Sequence, residues 1–171
     1  MEAIQATDHQ FSSETVGRIR LGHSKFLIPD MNRAATPLLA ATLRAFDIDA
    51  HILPTYKGLD FGRKFTSGKE CFPCLVTLGD LLYFIEEERK RLGQAFNAGR
   101  YVFFMPETEG PCRFGMYNKF QRIVLDSLPE LKALRITSAT TTDGYSPEGI
   151  FEAEHIRNSR KASYLAMVTG D

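Results

Sequence analysis

The chain has few cysteines, no excess charge of either sign and no long apolar run. Its 171 residues include three cysteines, and 21 Lys and Arg balance 21 Asp and Glu. A formal net charge of zero gives no reason to expect binding to nucleic acid or to an anionic membrane surface. The longest apolar run, residues 75–85, is interrupted by Thr77, Gly79 and Asp80. It is too short to span a bilayer, so we expect no membrane partner.

The first ten residues, M-E-A-I-Q-A-T-D-H-Q, contain no apolar segment of the kind found in secretory signals. We therefore expect a cytoplasmic location, where reducing conditions disfavour a structural disulfide. We also expect residues 1–24 to be a flexible lead and residues 25–171 to form one α/β domain. The last residues carry no closing cap, which suggests a domain cut short at its C-terminus and belonging to a larger two-domain protein.

Short apolar segments alternate with helical patterns along the chain. Strands are predicted near residues 25–30, 50–54, 100–106 and 134–138, and helices from Thr36, over 73–92 and over 112–128. Residues 140–147 are rich in turn formers, residues 150–160 have a weak helical pattern, and residues 162–168 fit either a further helical turn or a strand. Alternation of strands and helices is typical of a flavodoxin-like or Rossmann-like fold, with a parallel sheet flanked by helices. Residues 55–70 are predicted to be a long loop, which is usually functional or disordered.

All three cysteines lie where a loop is predicted to open a helix. Cys71 and Cys74 form a C-x-x-C motif at the start of the helix over 73–92, and Cys112 follows Gly110 and Pro111. In a parallel α/β sheet such loops lie at the carboxyl edge, where ligands bind. Helix N-termini favour thiolates, so both segments are suited electrostatically to hold negative sulfur. Gly110 is expected to allow a close backbone approach there.

The cysteine pattern leaves several chemistries open. A dithiol of the thioredoxin type does not fit the long loop that precedes the motif. A structural zinc site needs four ligands, and the four histidines each stand alone in the sequence. An iron–sulfur cubane usually takes four thiolates, so three would leave one iron open to another ligand. A cluster, a zinc ion and unliganded thiols therefore all remain possible on the residues alone.

Several charged residues accompany these segments. Glu70 and Arg113 each adjoin a cysteine and are candidates for tuning thiolate charge around a cofactor. Asp80, Glu107 and Glu109 have the chemistry of acids or bases, although solvated carboxylates are the simpler interpretation. The run Arg89-Lys90-Arg91 follows Glu86-Glu87-Glu88. This pattern predicts a solvated helix face with ion pairs four residues apart.

Three segments together resemble a known family. They are I-P-D-M-N, then G-R-K-F-T-S-G-K-E-C-F-P-C, then F-F-M-P-E-T-E-G-P-C-R-F-G-M-Y-N-K-F. The series is similar to the cluster-bearing subunits of 2-hydroxyacyl-CoA dehydratases and benzoyl-CoA reductases, and most of all to their activase-related branch. The resemblance covers about residues 25–140 and the final Gly170-Asp171.

The resemblance implies an iron–sulfur electron-transfer domain with a [4Fe–4S] or double-cubane cluster. By motif, Cys71 and Cys112 match the ligand positions best, and Cys74 is a third ligand. The implied partners are an ATP-dependent activase of the actin-like ATPase class and an acyl-CoA substrate. A partner domain would then be missing, so we expect an apolar face covered by self-association in a homo-oligomer. The alternative is a non-enzymatic, cysteine-bearing scaffold or regulator that docks an activase and binds zinc or no metal.

Overall fold

A four-stranded, all-parallel sheet in the order β2-β1-β3-β4 forms the centre of the molecule. The computed structural model describes residues 23–138 and Leu165. The strands are β1 (Lys25–Ile28), β2 (Asp49–Ile52), β3 (Tyr101–Phe104) and β4 (Arg135–Thr137). This sheet and its flanking helices confirm the predicted α/β, flavodoxin-like fold.

Four α-helices connect and cover the strands. They are α1 (Ala35–Arg44), α2 (Leu59–Arg63), α3 (Phe72–Leu92) and α4 (Tyr117–Ser127). Short 3-10 helices occur at Gly93–Ala95, Ala98–Arg100, Arg113–Met116 and Pro129–Leu131. Because the strands are parallel, the segments that follow β1, β2 and β3 all leave from one edge of the sheet, the carboxyl edge.

The sheet separates two apolar clusters. On one face Leu27 and Phe103 pack with residues of α3 and α4. On the other face Phe26 and Val102 pack with residues of α1. Neighbouring residues of β1 and β3 point to opposite faces, and both faces are covered. The strands therefore read as continuous apolar runs in the sequence.

Helix α3 carries one buried stripe along its length. Its members recur at intervals of four and three residues, and each is at most 8% exposed: Cys74, Leu78, Leu81, Ile85 and Glu88. This spacing places all five on a single helix face. The stripe begins with a thiol and ends with a carboxylate.

The segment predicted as a structureless loop, residues 55–70, contains helix α2. A tight backbone contact holds α2 against α3, because a methyl group on Gly58 would overlap the carbonyl oxygen of Gly79. The carboxylate of Asp80 accepts hydrogen bonds from the backbone N–H groups of Tyr56 (3.1 Å) and Gly58 (3.0 Å). These contacts are tertiary, so the local sequence alone did not predict the helix.

Two predicted helix starts also differ. Helix α1 begins at Ala35, and the side-chain oxygen of Asn32 accepts hydrogen bonds from the N–H groups of Ala34 and Ala35, both at 2.9 Å. Thr36 therefore lies inside the helix instead of capping it. The helix predicted over 112–128 opens with a 3-10 helix and becomes α-helical only at Tyr117.

The predictions for the two ends of the chain fall outside the described residues. These are the flexible lead, the turn-rich segment 140–147 and the helical segments beyond it, except that Leu165 is helical and exposed. The division into a lead and a truncated domain stays a prediction. Within the described part, no helix is both long enough and apolar enough for a membrane span.

Candidate functional site

The three cysteines lie in the segments that leave the carboxyl edge of the sheet. Cys71 is the N-cap residue of α3, and Cys74 lies in the first turn of that helix. Cys112 occupies the corresponding position before the 3-10 helix Arg113–Met116. All three are free thiols, and their accessibility differs: Cys112 is exposed, Cys71 is half-buried and Cys74 is buried.

A side chain joins the two cysteine segments. Nη1 of Arg113 donates a hydrogen bond of 2.7 Å to the carbonyl oxygen of Lys69. Arg113 adjoins Cys112, and Lys69 lies two residues before Cys71. The bond therefore holds together two stretches that are some forty positions apart in the chain.

Tyr117 is a buried side chain on which all three thiols act electrostatically. Its side chain is 5% exposed, and the ring of Phe114 contacts it edge-on at 5.1 Å between centroids. Burial, and then interaction with the thiols of Cys71, Cys74 and Cys112, raises the pKa of the Tyr117 hydroxyl. One hydroxyl is thus within electrostatic reach of every cysteine in the chain.

Sequence reasoning missed this role of Tyr117, because it placed the residue only on the apolar face of a helix. A signal was present. Tyr117 is a hydroxyl-bearing residue on a face otherwise made of Phe, Val and Leu, and it follows Cys112 by five positions. A buried hydroxyl usually needs a polar neighbour, and the cysteines supply it.

The loop before Cys112 depends on two glycines. Gly110 has φ of +94°, a left-handed conformation that favours glycine. Space around it is open, so the expected close approach is wrong for Gly110. Close approach occurs instead at Gly115, where a methyl group would overlap the carbonyl oxygen of Thr108. Together the two glycines fold the loop back on itself and present Cys112 to solvent.

The prediction that both cysteine segments favour thiolate is wrong for Cys74. Burial first, and then the negative charges of Glu70 and Cys71, raise the pKa of Cys74 to about 12. Loss of solvent therefore outweighs the favourable field at the helix N-terminus. The Cys74 thiol is protonated at neutral pH unless a cation displaces its proton.

Glu70 and Arg113 both shape the loops around the thiols. The carboxylate of Glu70 accepts hydrogen bonds from the backbone N–H of Ser67 (2.8 Å) and from its hydroxyl (3.1 Å). The backbone N–H of Glu70 itself, followed by these Ser67 donors, lowers the pKa of Glu70. Glu70 thus adds negative charge close to Cys74, while Arg113 fixes the position of its neighbour Cys112.

The other predicted acid or base residues have structural partners. Asp80 is 4% exposed and binds backbone N–H groups before α2, and its burial raises its pKa. Glu107 accepts hydrogen bonds of 2.7 Å from Asn118 and from Lys119. The simpler interpretation of these two as solvated carboxylates is therefore wrong.

The donor chemistry of the site fits a soft metal or a cluster, since its three candidate ligands are all sulfur. Of the histidines, His51 pairs with Asp49 at 2.8 Å, and His9 and His155 lie outside the described residues. Within residues 23–138, no three His, Cys, Asp or Glu side chains are arranged ready to ligate a metal ion. Binding a metal or cluster would therefore require the thiols to move closer together.

Large apolar side chains are exposed in the same segments. Met31 follows β1, Tyr56 follows β2, Phe72 opens α3, and Met116 follows Cys112; their exposure ranges from 46% to 61%. We call these four residues the apolar rim. An apolar surface around a site is typical of an interaction face, although oligomerisation itself stays a prediction.

Comparison with known proteins adds no relative. No protein-family model matches the sequence. A search of curated proteins likewise finds no significant match.

Proposed function

We propose that the chain is an iron–sulfur electron-transfer domain of an ATP-dependent activase or 2-hydroxyacyl-CoA dehydratase-like system. In this proposal Cys71, Cys74 and Cys112 hold the cluster. One observation carries it: Arg113, next to Cys112, donates a hydrogen bond to the carbonyl oxygen of Lys69, two residues before Cys71, so the two cysteine segments adjoin at the carboxyl edge of the sheet.

The character of the donors supports a cluster over a hard metal ion. Thiolates are the ligands that iron–sulfur clusters prefer, whereas magnesium and calcium prefer oxygen. With three thiolates, one iron of a [4Fe–4S] cluster takes its fourth ligand from elsewhere. When bound, the cluster supplies one-electron transfer.

The chain's own residues prepare this place for a cluster. The bond from Arg113 to Lys69 fixes the two cysteine segments relative to each other. The buried ring of Tyr117 shields the inner side of the site from water, while exposed Cys112 forms the outer side. The proton of the Cys74 thiol must leave when a cation binds, so binding is expected to be stronger as pH rises.

The motif resemblance supplies the rest of the proposal. The combination of G-K-E-C-x-P with G-P-C-R-x-G-x-Y suggests the activase and the acyl-CoA substrate as partners. The apolar rim offers an activase an exposed apolar surface, and two of its members, Phe72 and Met116, lie in the cysteine segments.

The test is anaerobic reconstitution with ferrous iron and sulfide. We expect brown protein that contains iron and sulfide in nearly equal amounts, with broad absorbance in the visible region. Cys112→Ser should lose most of this uptake, and it should fold because Cys112 is exposed.

A matched control separates a specific site from adventitious thiol chemistry. The double variant Cys112→Ser, Lys132→Cys keeps three thiols but moves one to an exposed position on another segment. Uptake should stay as low as in Cys112→Ser. Equal loading of this variant and the wild type, or no iron in the wild type, would overturn the proposal.

A second candidate is the non-enzymatic scaffold or regulator that docks an activase and binds zinc or no metal. The burial of Cys74 favours it, because a buried free cysteine often behaves as a small apolar side chain. Elemental analysis of anaerobically purified protein distinguishes the two functions. Zinc, or no metal, without bound sulfide after reconstitution would support the scaffold.

A further inference from the structure

A small cavity lies at the edge of the sheet opposite the thiols, and three basic side chains take part in its lining. It has a volume of about 140 Å³ and is lined by Lys25, Arg91 and Arg100, by the polar residues Asn97 and Tyr101, and by the apolar residues Leu92 and Ala95. Lys25 and Tyr101 are paired first residues of β1 and β3, and Arg91 lies in the last turn of α3. The cavity therefore uses none of the residues of the thiol site.

One carboxylate offsets part of this positive charge. Glu88 accepts hydrogen bonds from Lys25 (3.0 Å), from Tyr101 (2.8 Å) and from two nitrogens of Arg91 (2.7 and 3.0 Å). Glu88 thus pairs with two of the three cations in the lining and offsets one of the three positive charges, while Arg100 does not contact it. The C-terminus of α3 contributes only about half a negative charge, so the cavity stays positive.

The predicted solvated face of α3 is corrected here. Ion pairs form three residues apart instead of four, as in Arg89–Glu86 and Lys90–Glu87. Glu88 does not face solvent, because its side chain is 10% exposed and it reaches across to β1 and β3.

Several hydrogen-bond donors around the cavity have no partner in the part of the chain that the structure describes. A lysine has three N–H donors and an arginine five, and Glu88 engages only some of those on Lys25 and Arg91. Within the described residues, the Arg100 guanidinium has no hydrogen-bond or ion-pair partner. Asn97 uses its oxygen to accept from the N–H of Gly99, which leaves its amide N–H groups. A ligand with acceptors only, such as an oxyanion, satisfies this arrangement.

We propose that this cavity binds a phosphate group, as inorganic phosphate or as the terminal phosphoryl group of a larger compound. The planar fork of an arginine matches phosphate oxygens in geometry as well as charge. Pockets for whole drug-sized ligands usually occupy about 300–1,000 Å³. This cavity is smaller, so it holds the phosphoryl end of a ligand and leaves any remainder outside.

The test is isothermal titration of the full chain with inorganic phosphate and with methyl phosphate, at constant ionic strength set by chloride. We expect saturable binding of at least one of them. Tighter binding of inorganic phosphate indicates the free ion, and tighter binding of the ester indicates a larger phosphorylated compound.

Arg100→Gln removes the guanidinium that lacks a partner, and its exposure lets the variant fold. Phosphate affinity should fall about tenfold or more. Arg63→Gln is the control, because Arg63 is 65% exposed and pairs with Asp60 away from the cavity. Unchanged affinity in Arg100→Gln, equal losses in both variants, or no saturable binding by the wild type would overturn the proposal. Cys112→Ser should bind phosphate normally, so the result is independent of the thiol site.

Discussion

The pKa values of buried ionisable groups shift in opposite directions at the two ends of α3. Near its N-terminus, burial raises the pKa values of Cys74 and Asp80. Near its C-terminus, Glu88 is similarly buried, yet Arg91 first, and then Tyr101 and Lys25, lower its pKa to about 2. Burial alone does not fix the direction of a pKa shift. Cationic donors reverse it at one end, whereas backbone N–H groups only offset it at Asp80.

The two ends of α3 also differ in the contacts that hold them in place. Backbone contact between Gly58 and Gly79 sets the N-terminal half of α3, while charged side chains set the C-terminal end. The first device depends on shape and the second on charge. Substitutions and pH should therefore affect the two ends differently.

The largest expected loss of stability comes from disrupting the backbone contact in the N-terminal half of α3. Gly79→Ala would normally stabilise a helix by up to about 1 kcal/mol. Here the added methyl overlaps the Gly58 carbonyl, so the free energy of unfolding should fall by about 3 kcal/mol. Urea denaturation measures it. Gly93→Ala is the control for backbone strain without a clash: its φ is +53° and its ψ −124°, with open space around it, and it should cost about 1–3 kcal/mol. A Gly79→Ala variant as stable as the wild type would contradict the contact.

The next largest loss of stability comes from removing the carboxylate at the C-terminal end of α3. Glu88→Gln leaves Lys25 and Arg91 without their anion and should lower the free energy of unfolding by about 2–3 kcal/mol at pH 7. Glu87→Gln, which disrupts an exposed pair, should cost less than about 0.5 kcal/mol. Denaturant unfolding of both variants checks the difference, and equal losses would argue against a special role for Glu88.

The same residue predicts acid sensitivity. The pKa of Glu88 is about 2 in the folded chain and ordinarily 4.5. Its contribution is complete above about pH 4.5 and is lost as pH falls toward 2. The stability gap between wild type and Glu88→Gln should therefore narrow when unfolding is repeated at pH 3. A gap that stays constant would show that Glu88 does not titrate in this way.

Asp80 should show the opposite sign. Because burial raises its pKa above the ordinary 3.8, ionisation of Asp80 weakens the folded state as pH rises beyond that value. Asp80→Asn keeps an acceptor oxygen and cannot ionise. Its thermal unfolding temperature, compared with the wild type, should improve as pH rises above 3.8 and then level off once Asp80 is ionised in the folded chain. The comparison of the two ends would fail if this difference moved in the other direction.

Asp80→Ala provides the control for hydrogen bonding at this position. It removes both acceptors of the Tyr56 and Gly58 N–H groups and should be less stable than Asp80→Asn by about 1–3 kcal/mol at every pH, because neither variant can ionise at this position. A difference between the two variants that changed strongly with pH would contradict the assignment of this pH dependence to Asp80.

The smallest effects concern the thiols. Cys112→Ala should change the free energy of unfolding by less than about 0.5 kcal/mol, since Cys112 is exposed. Iodoacetamide should label Cys112 first, then Cys71, and Cys74 only on unfolding. Mass spectrometry of the reduced, metal-free protein reads the order. Early labelling of Cys74 would show that its burial is not maintained in solution.

The sequence predicted those parts of the fold that depend on local pattern. The four strands and α3 follow from apolar runs and helical spacing, which neighbouring residues determine. Helix α2 was missed because its five residues are held by the backbone of Gly79 and the carboxylate of Asp80, and neither is local.

The same limit applied to the two sites. The cysteine segments were evident from residue type, but their electrostatic action on Tyr117 depends on how α4 packs. Glu88 looked like its neighbours Glu86 and Glu87, and its contacts with Tyr101 and with Lys25, 63 positions away, distinguish it. Residue chemistry can be read from a sequence, whereas the partner that gives a residue its role comes from the fold.

The buried stripe places residues from both ends of α3 on the same face of the helix. Cys74 and Glu88 lie on one face of α3. The three residues between them on that face, Leu78, Leu81 and Ile85, are buried in the core. Each added residue turns everything beyond it by about 100°. One residue inserted between Leu82 and Ile85 would leave the thiol in register and swing the carboxylate away from Lys25. The length of the helix between its two ends is therefore as much a part of both sites as the side chains that it carries.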